Sequence, residues 1–291
     1  MKRLRGSHGA PLPAAGRPVT APPGPDTGPV IVLVDHRTTD AGTLEWAAAE
    51  AAARGSTLRI VYAFRWPRIV DPLGNATVDL RAQEAAEAVV EAAVRRARKI
   101  VPGLRISTRI FPGRQVTALV SEARHSPRSL VVLSHHRQSG RLERALARRL
   151  VRRTSTSLAL IGLSAPGDVG RSAGRVVVGV DAHGGPPTAL GFAFRAARRR
   201  GTGLTVVHAS APHRAGDAED AVRVWQMAYP DVDVQWDVGQ GPLDSAVLAE
   251  SAAAALTVIG PWRHRLGGGS ASGTVLRLTR GPVVLVGASS S

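Results

Sequence analysis

Short runs of Val, Ile and Leu alternate along this chain with longer stretches in which Ala, Arg and Glu recur at helical spacing. The apolar runs fall near 30–35, 58–64, 105–111, 130–134 and 157–162, and again near 175–181, 203–209, 232–236, 256–260 and 282–287. Runs this short, rich in β-branched residues, predict strands buried on both faces. The stretches between them predict helices. TLEWAAAEAAARG carries a glycine stop after its arginine, and RAQEAAEAVVEAAVRRARKI ends before Pro102. QVTALVSEARHS and RLERALARRLVRR follow in the same style. Strands that alternate with helices need right-handed crossovers and therefore lie parallel. The expected fold class is α/β, as two tandem doubly wound domains. Each is a five-stranded parallel sheet with helices on both faces.

The pattern is written twice. PVIVLVDHR (29–37) matches RVVVGVDAH (175–183), and RGSTLRIVYAF (54–64) matches RGTGLTVVHAS (200–210), both at an offset of 146. LVVLSHHR (130–137) matches LTVIGPWR (256–263) at an offset of 126, and LALIG (158–162) matches VLVG (284–287) at 125. Four matches in the same order indicate a duplicated domain. The expected organisation is a tail at 1–29, domain one at 30–162, a linker at 163–174, domain two at 175–287 and a short tail at 288–291. The tail is rich in Pro, Gly and Ala and carries four basic residues, too little apolar surface to order itself.

Composition narrows the chemistry. There is no cysteine, which excludes disulfides, thiolate metal sites and cysteine nucleophiles. No apolar run approaches the ~20 residues of a membrane span. MKRLRG is not followed by the apolar core of a signal peptide. A cytoplasmic location is the expectation. The formal net charge is +16 and uneven. Residues 1–162 carry 26 Lys+Arg against 12 Asp+Glu, while 163–291 carry 12 against 10. A basic surface attracts phosphates or nucleic acid. However, 36 of the 38 basic residues are arginine, which reads first as a compositional habit.

Doubly wound sheets bind ligands at the carboxyl ends of their strands, where the strand order switches. Three places should meet there in each copy. They are the end of the first strand (Asp35, Asp181), the end of the second, and the loop after the fourth. In the second copy that loop is GPWRHRLGGGSASGT (260–274).

These features resemble the universal stress protein family in its tandem form, with an adenine-nucleotide alpha-hydrolase-like fold. The resemblance rests on the VVVGVD strand, on TALGFAFRAARRRGTGLTVVHA, and on the loop after strand four. Nucleotide-binding members of that family carry Gly-x-x-Gly, nine residues, then Gly-Ser or Gly-Thr opening a helix. There the glycines admit backbone N–H groups to the phosphates, beside a helix N-terminus. The resemblance implies ATP, with Mg²⁺, as ligand of the second copy. Val180, Asp181 and Val207 would border the nucleoside. Gly260, Arg263, Gly269, Ser270, Ala271 and Ser272 would border the phosphates.

The match is partial. Arg263 stands where the second glycine is expected. Literal spacing lands on Gly273-Thr274, whereas alignment back from the last strand lands on Gly269-Ser270 with a loop four residues shorter. The second register is preferred, since loops tolerate deletion better than helices and strands tolerate slips. In the first copy Ser134 and Arg137 replace both glycines. Together with Asp35 they form a degenerate site. Arginines at 137, 141, 144, 148 and 152 recur along one helical stripe, which suits a solvated basic face or an anion surface.

Other candidates are weaker. His135 and His136 are adjacent in an extended segment and point opposite ways, so no metal site is expected. His208 corresponds to Tyr62, and the position calls for a packed flat ring. Asp244 and Ser245 read as a helix start. No catalytic constellation is present. The expected protein is a stress-associated binding or regulatory protein with weak ATP binding in domain two, and any hydrolysis would be slow and incidental. Two rivals are a non-nucleotide interaction scaffold and a nucleic-acid binder acting through 137–153. SLALIG and PVVLVG are apolar fifth-strand edges that need a partner. The two copies could pair with each other as a pseudo-dimer, or two chains could pair through those edges.

Overall fold

The computed structural model describes residues 28–34, 41–64, 69–70, 76–77, 80–126, 128–135, 156–162, 172–180, 187–208, 215–238, 242–260 and 281–287. The first half contributes β1 (Val30–Val34), α1 (Ala41–Ala53), β2 (Leu58–Phe64), α2 (Leu80–Ile100), β5 (Ile106–Pro112), α3 (Gln115–His125), β6 (Leu130–His135) and β7 (Ser157–Gly162). A two-stranded hairpin, β3 (Ile69–Val70) with β4 (Ala76–Thr77), lies between β2 and α2. The second half contributes β8 (Val176–Val180), α4 (Pro187–Arg200), β9 (Leu204–His208), α5 (Ala215–Ala228), β10 (Val234–Val238), α6 (Leu243–Ser251), β11 (Leu256–Ile259) and β12 (Val283–Leu285).

The ten long strands form one sheet in the order β10-β9-β8-β11-β12-β7-β6-β1-β2-β5. Within each half all neighbours are parallel, as the crossover argument requires. The halves meet through their fifth strands, β7 and β12, which run antiparallel. The apolar edges therefore partner each other inside one chain. Both are occupied, so neither is free for a homodimer of the kind considered from the sequence.

The pairing register locates an axis. Leu158 faces Leu285, Ala159 faces Val284 and Leu160 faces Val283. At the 125-residue offset Ala159 corresponds to Val284, so the central pair is made of equivalent residues. A pseudo-twofold passes between them. One face of the sheet then carries α1, α2, α4 and α5 over a single apolar core that spans both halves. On the opposite face α3 and α6 cover separate cores. The inner strands are buried on both faces, which is why they lack polar alternation. The outermost strands, β5 and β10, are half exposed.

Polar networks brace the strands within each half. Glu122 on α3 is buried and receives Arg59 at 2.9 Å and Arg109 at 3.3 Å. In the second half Arg175 reaches across the strand starts. It donates to the carbonyls of Leu204 (3.0 Å) and Asp233 (2.9 Å), and to the Asp233 carboxylate at 2.7 Å. Ser172, wholly buried, bonds Thr205 at 3.1 Å and Glu250 on α6.

Candidate functional site

The strand order switches at two places. The chain leaves β1 toward β2 but leaves β6 toward β7, so a crevice opens between the carboxyl ends of β1 and β6. The same switch lies between β8 and β11. Register sets what borders each crevice. Val32 is level with Val132, and Val178 with Val258. The paired stretches end there; counted two residues further along each strand, Val34 corresponds to Ser134 and Val180 to Gly260. The structure thus brings together the strand ends that the sequence named. The two crevices differ at one position, serine in the first and glycine in the second. A Cβ with a hydroxyl keeps a ligand off the backbone, whereas glycine lets it approach.

Of the second-copy candidates, Val180 is buried at the end of β8, Val207 is buried in β9, and Gly260 is half-buried directly after β11. Asp181, Arg263, Gly269, Ser270, Ala271 and Ser272 lie outside the described residues, as do Gly273 and Thr274. In the first copy Ser134 is half-buried in β6, while Asp35, Arg137 and the arginine stripe to 153 lie outside.

His208 is 2% exposed, and its Nδ1 lies 3.1 Å from the carbonyl oxygen of Val180. A carbonyl accepts, so Nδ1 is the protonated nitrogen and Nε2 is left as an acceptor. Nε2 is buried without a hydrogen-bond partner among the described residues. Tyr62 occupies the corresponding place opposite Val34, also buried. His208 is thus a packed ring fastened to the neighbouring strand, as its exchange with tyrosine suggests. Asp244 lies in the first turn of α6, where its carboxylate accepts from the Ser245 N–H at 3.0 Å. It marks a helix start and suits the helix dipole. Among the described residues no group of His, Cys, Asp or Glu could hold a metal ion. No described helix is long and apolar enough to cross a membrane.

The first half also has a groove of about 700 Å³ between α1 and α2. Val34, Leu44, Val89 and Ile100 form its apolar wall, with Arg96 and Lys99 at its rim. It reaches Val34, the last residue of β1, and so adjoins the carboxyl end of that strand.

Residues 27–161 match the Universal stress protein family. The first half of this chain is a universal stress protein domain. Solved structures extend the likeness of fold to both halves. A universal stress protein from Archaeoglobus fulgidus DSM 4304 is 17% identical. It covers 91% of this chain and 98% of its own, with a TM-score of 0.67. A putative universal stress protein from Pseudomonas aeruginosa UCBPP-PA14, also 17% identical, covers 89% and 93% with a TM-score of 0.57. The cytoplasmic domain of a prokaryotic cation chloride cotransporter has the same fold at 11% identity, covering 89% and 95% with a TM-score of 0.55. No curated protein matches the chain in sequence.

One cluster escaped the sequence reading. Glu50 on α1 is buried and bonds Arg54 at 2.7 Å and Arg200 of the second half at 2.5 Å, with Arg199 at 3.7 Å. Burial pushes its carboxyl up, but Arg54, Arg200 and Arg199 together outweigh burial and hold it below the usual carboxylate range. A signal was present in the repeat. Trp46 and Phe192, like Arg54 and Arg200, stand at the 146-residue offset.

Proposed function

We propose that the second half binds an adenine nucleotide weakly in the crevice between β8 and β11, and that the chain is a binding or regulatory universal stress protein without a defined turnover. The observation that carries this reading is Gly260. It follows β11 directly, two positions past Val258, which pairs with Val178 of β8 at the switch point where such sheets take ligands. Val180 and Val207 would face the nucleoside. Arg263 and the segment from Gly269 to Ser272 would supply phosphate contacts, and Mg²⁺ would accompany the nucleotide. Ser134 at the same place in the first half favours a structural role for that half.

Calorimetric titration of the whole protein with ATP and Mg²⁺, beside a Gly269→Val/Ser270→Ala variant, tests the reading. Micromolar binding that disappears in the variant supports both the site and its register. Binding that survives moves the site to Gly273-Thr274 or to the first-half arginines. No binding up to millimolar ATP replaces the reading with that of an interaction scaffold.

A further inference from the structure

The helix pairs of the two halves are filled differently. α1 and α4 correspond at the 146-residue offset. α2 and α5 correspond at 128, since each ends six residues before its strand, Ile100 before Ile106 and Ala228 before Val234. Between α4 and α5 the rings of Phe194, Trp225 and Tyr229 pack with centroids 5.9 to 6.4 Å apart, and Trp225 rests on Gly191. The first half has Ala48, Ala97 and Val101 at the three ring positions, and Glu45 at that of Gly191. These side chains are smaller than the rings, and along this helix pair runs the groove of about 700 Å³.

The groove has the size and composition of a small-molecule site, mostly apolar with a few polar groups. Ile100, part of its wall, is 44% exposed, a large apolar side chain left facing water. The charges are unequal, with Arg95, Arg96 and Lys99 in the lining against one carboxylate, Glu45. Arg96 is held by Glu45 at 2.9 Å, and Arg95 by Glu91 at 3.5 Å. Lys99, exposed in the last turn of α2, has no carboxylate partner among the described residues. A cationic guest would meet like charge, and a purely apolar one would leave Lys99 without a counter-ion. An alkyl chain that ends in an anion matches both the wall and the rim.

We propose that this groove binds a single-chain amphiphile with an anionic head, namely a free fatty-acid carboxylate. The chain lies against Leu44, Val89 and Ile100, where burial removes apolar surface from water. The carboxylate stays at the wet rim beside Lys99, so its charge is never buried without a partner.

Calorimetric titration of the full-length protein with dodecanoate, kept below its micellar concentration, tests this. Dodecanoate should saturate one site, whereas butyrate, which has the charge without the chain, and dodecyltrimethylammonium, which has the chain with the opposite charge, should not. Lys99→Glu should weaken dodecanoate several-fold with an unchanged urea midpoint of unfolding. Ala92→Trp, which fills the groove from an exposed helix position, should abolish binding. Equal affinity in the wild-type and Lys99→Glu proteins overturns the proposal, as does equal binding of the cationic amphiphile. Displacement of dodecanoate by ATP also overturns it, because the groove would then be part of a nucleotide crevice. Sedimentation with anionic phospholipid vesicles without saturable dodecanoate binding replaces it with a membrane-surface contact.

Discussion

The guanidinium of Arg54 stacks on the ring of Phe192 and so joins the end of the first helix in one half to the first helix of the other. Cation–π contacts of this kind contribute about 1–2 kcal/mol when desolvated. Phe192→Leu keeps most of the apolar volume and removes the π face. A loss of roughly 1–2 kcal/mol in urea unfolding is expected, with the secondary structure unchanged by circular dichroism.

Acid should loosen the junction through Glu50. Its folded pKa is depressed below the ordinary value of 4.5, so its contribution is fully present above that value. It is lost as pH falls through the folded pKa. The groups facing it are Arg54, Arg199 and Arg200, which stay charged throughout. Stability measured from pH 7 downward should hold until about pH 4.5 as far as this group is concerned, and then decline. Glu50→Gln should be less stable at neutral pH by about 3–5 kcal/mol, and its profile below pH 4.5 should be flatter. Parallel acid profiles for the two proteins would contradict the assignment.

His208 should behave as a packed ring held to the neighbouring strand. Phe in its place loses one hydrogen bond to Val180 and also removes an acceptor that has no partner among the described residues. The net change expected in thermal unfolding is within about 1 kcal/mol. Ala leaves a cavity and should cost roughly 2–4 kcal/mol. A large loss with Phe would show that Nε2 has a partner essential to the fold.

Gly191 is required by a neighbour. A Cβ there would come within 2.4 Å of Trp225, whose ring packs with Phe194 at 6.4 Å between centroids. Gly191→Ala should cost about 1–3 kcal/mol through overpacking. Trp225→Phe in the same chain should relieve part of that loss, a non-additivity that a double-mutant cycle of unfolding free energies reads directly.

Strand positions were legible because the inner strands are largely buried on both faces and are therefore written in short runs of Val, Ile and Leu. The reading slipped by two residues at β10, expected at 232–236 and found at Val234–Val238, and ran two residues past the end of β12 at Leu285. There Val232 is buried in the turn, bonded to the Tyr229 carbonyl at 3.1 Å, so its apolar character belongs to the core and not to the strand. The fifth strands were legible as edges in need of a partner, and the chain supplies that partner itself. The role of the arginines was not legible. Arg175 and Arg200 carry the same charge as solvated arginines, and only the fold brings Asp233 and Glu50 beside them, whereas Arg54 meets Glu50 at i,i+4 spacing. For the crevice, the strand ends followed from topology, whereas the register of the glycine loop depends on residues whose spacing admits two alignments.

Antiparallel pairing of β7 with β12 has a consequence for traffic at the surface. The carboxyl ends of the first-half strands point one way and those of the second half point the other. The two crevices therefore open toward opposite ends of the sheet, four strand spacings or about 19 Å apart across it. A body approaching from one side meets only one of them. One chain thus presents two like strand-end crevices to opposite poles of the molecule.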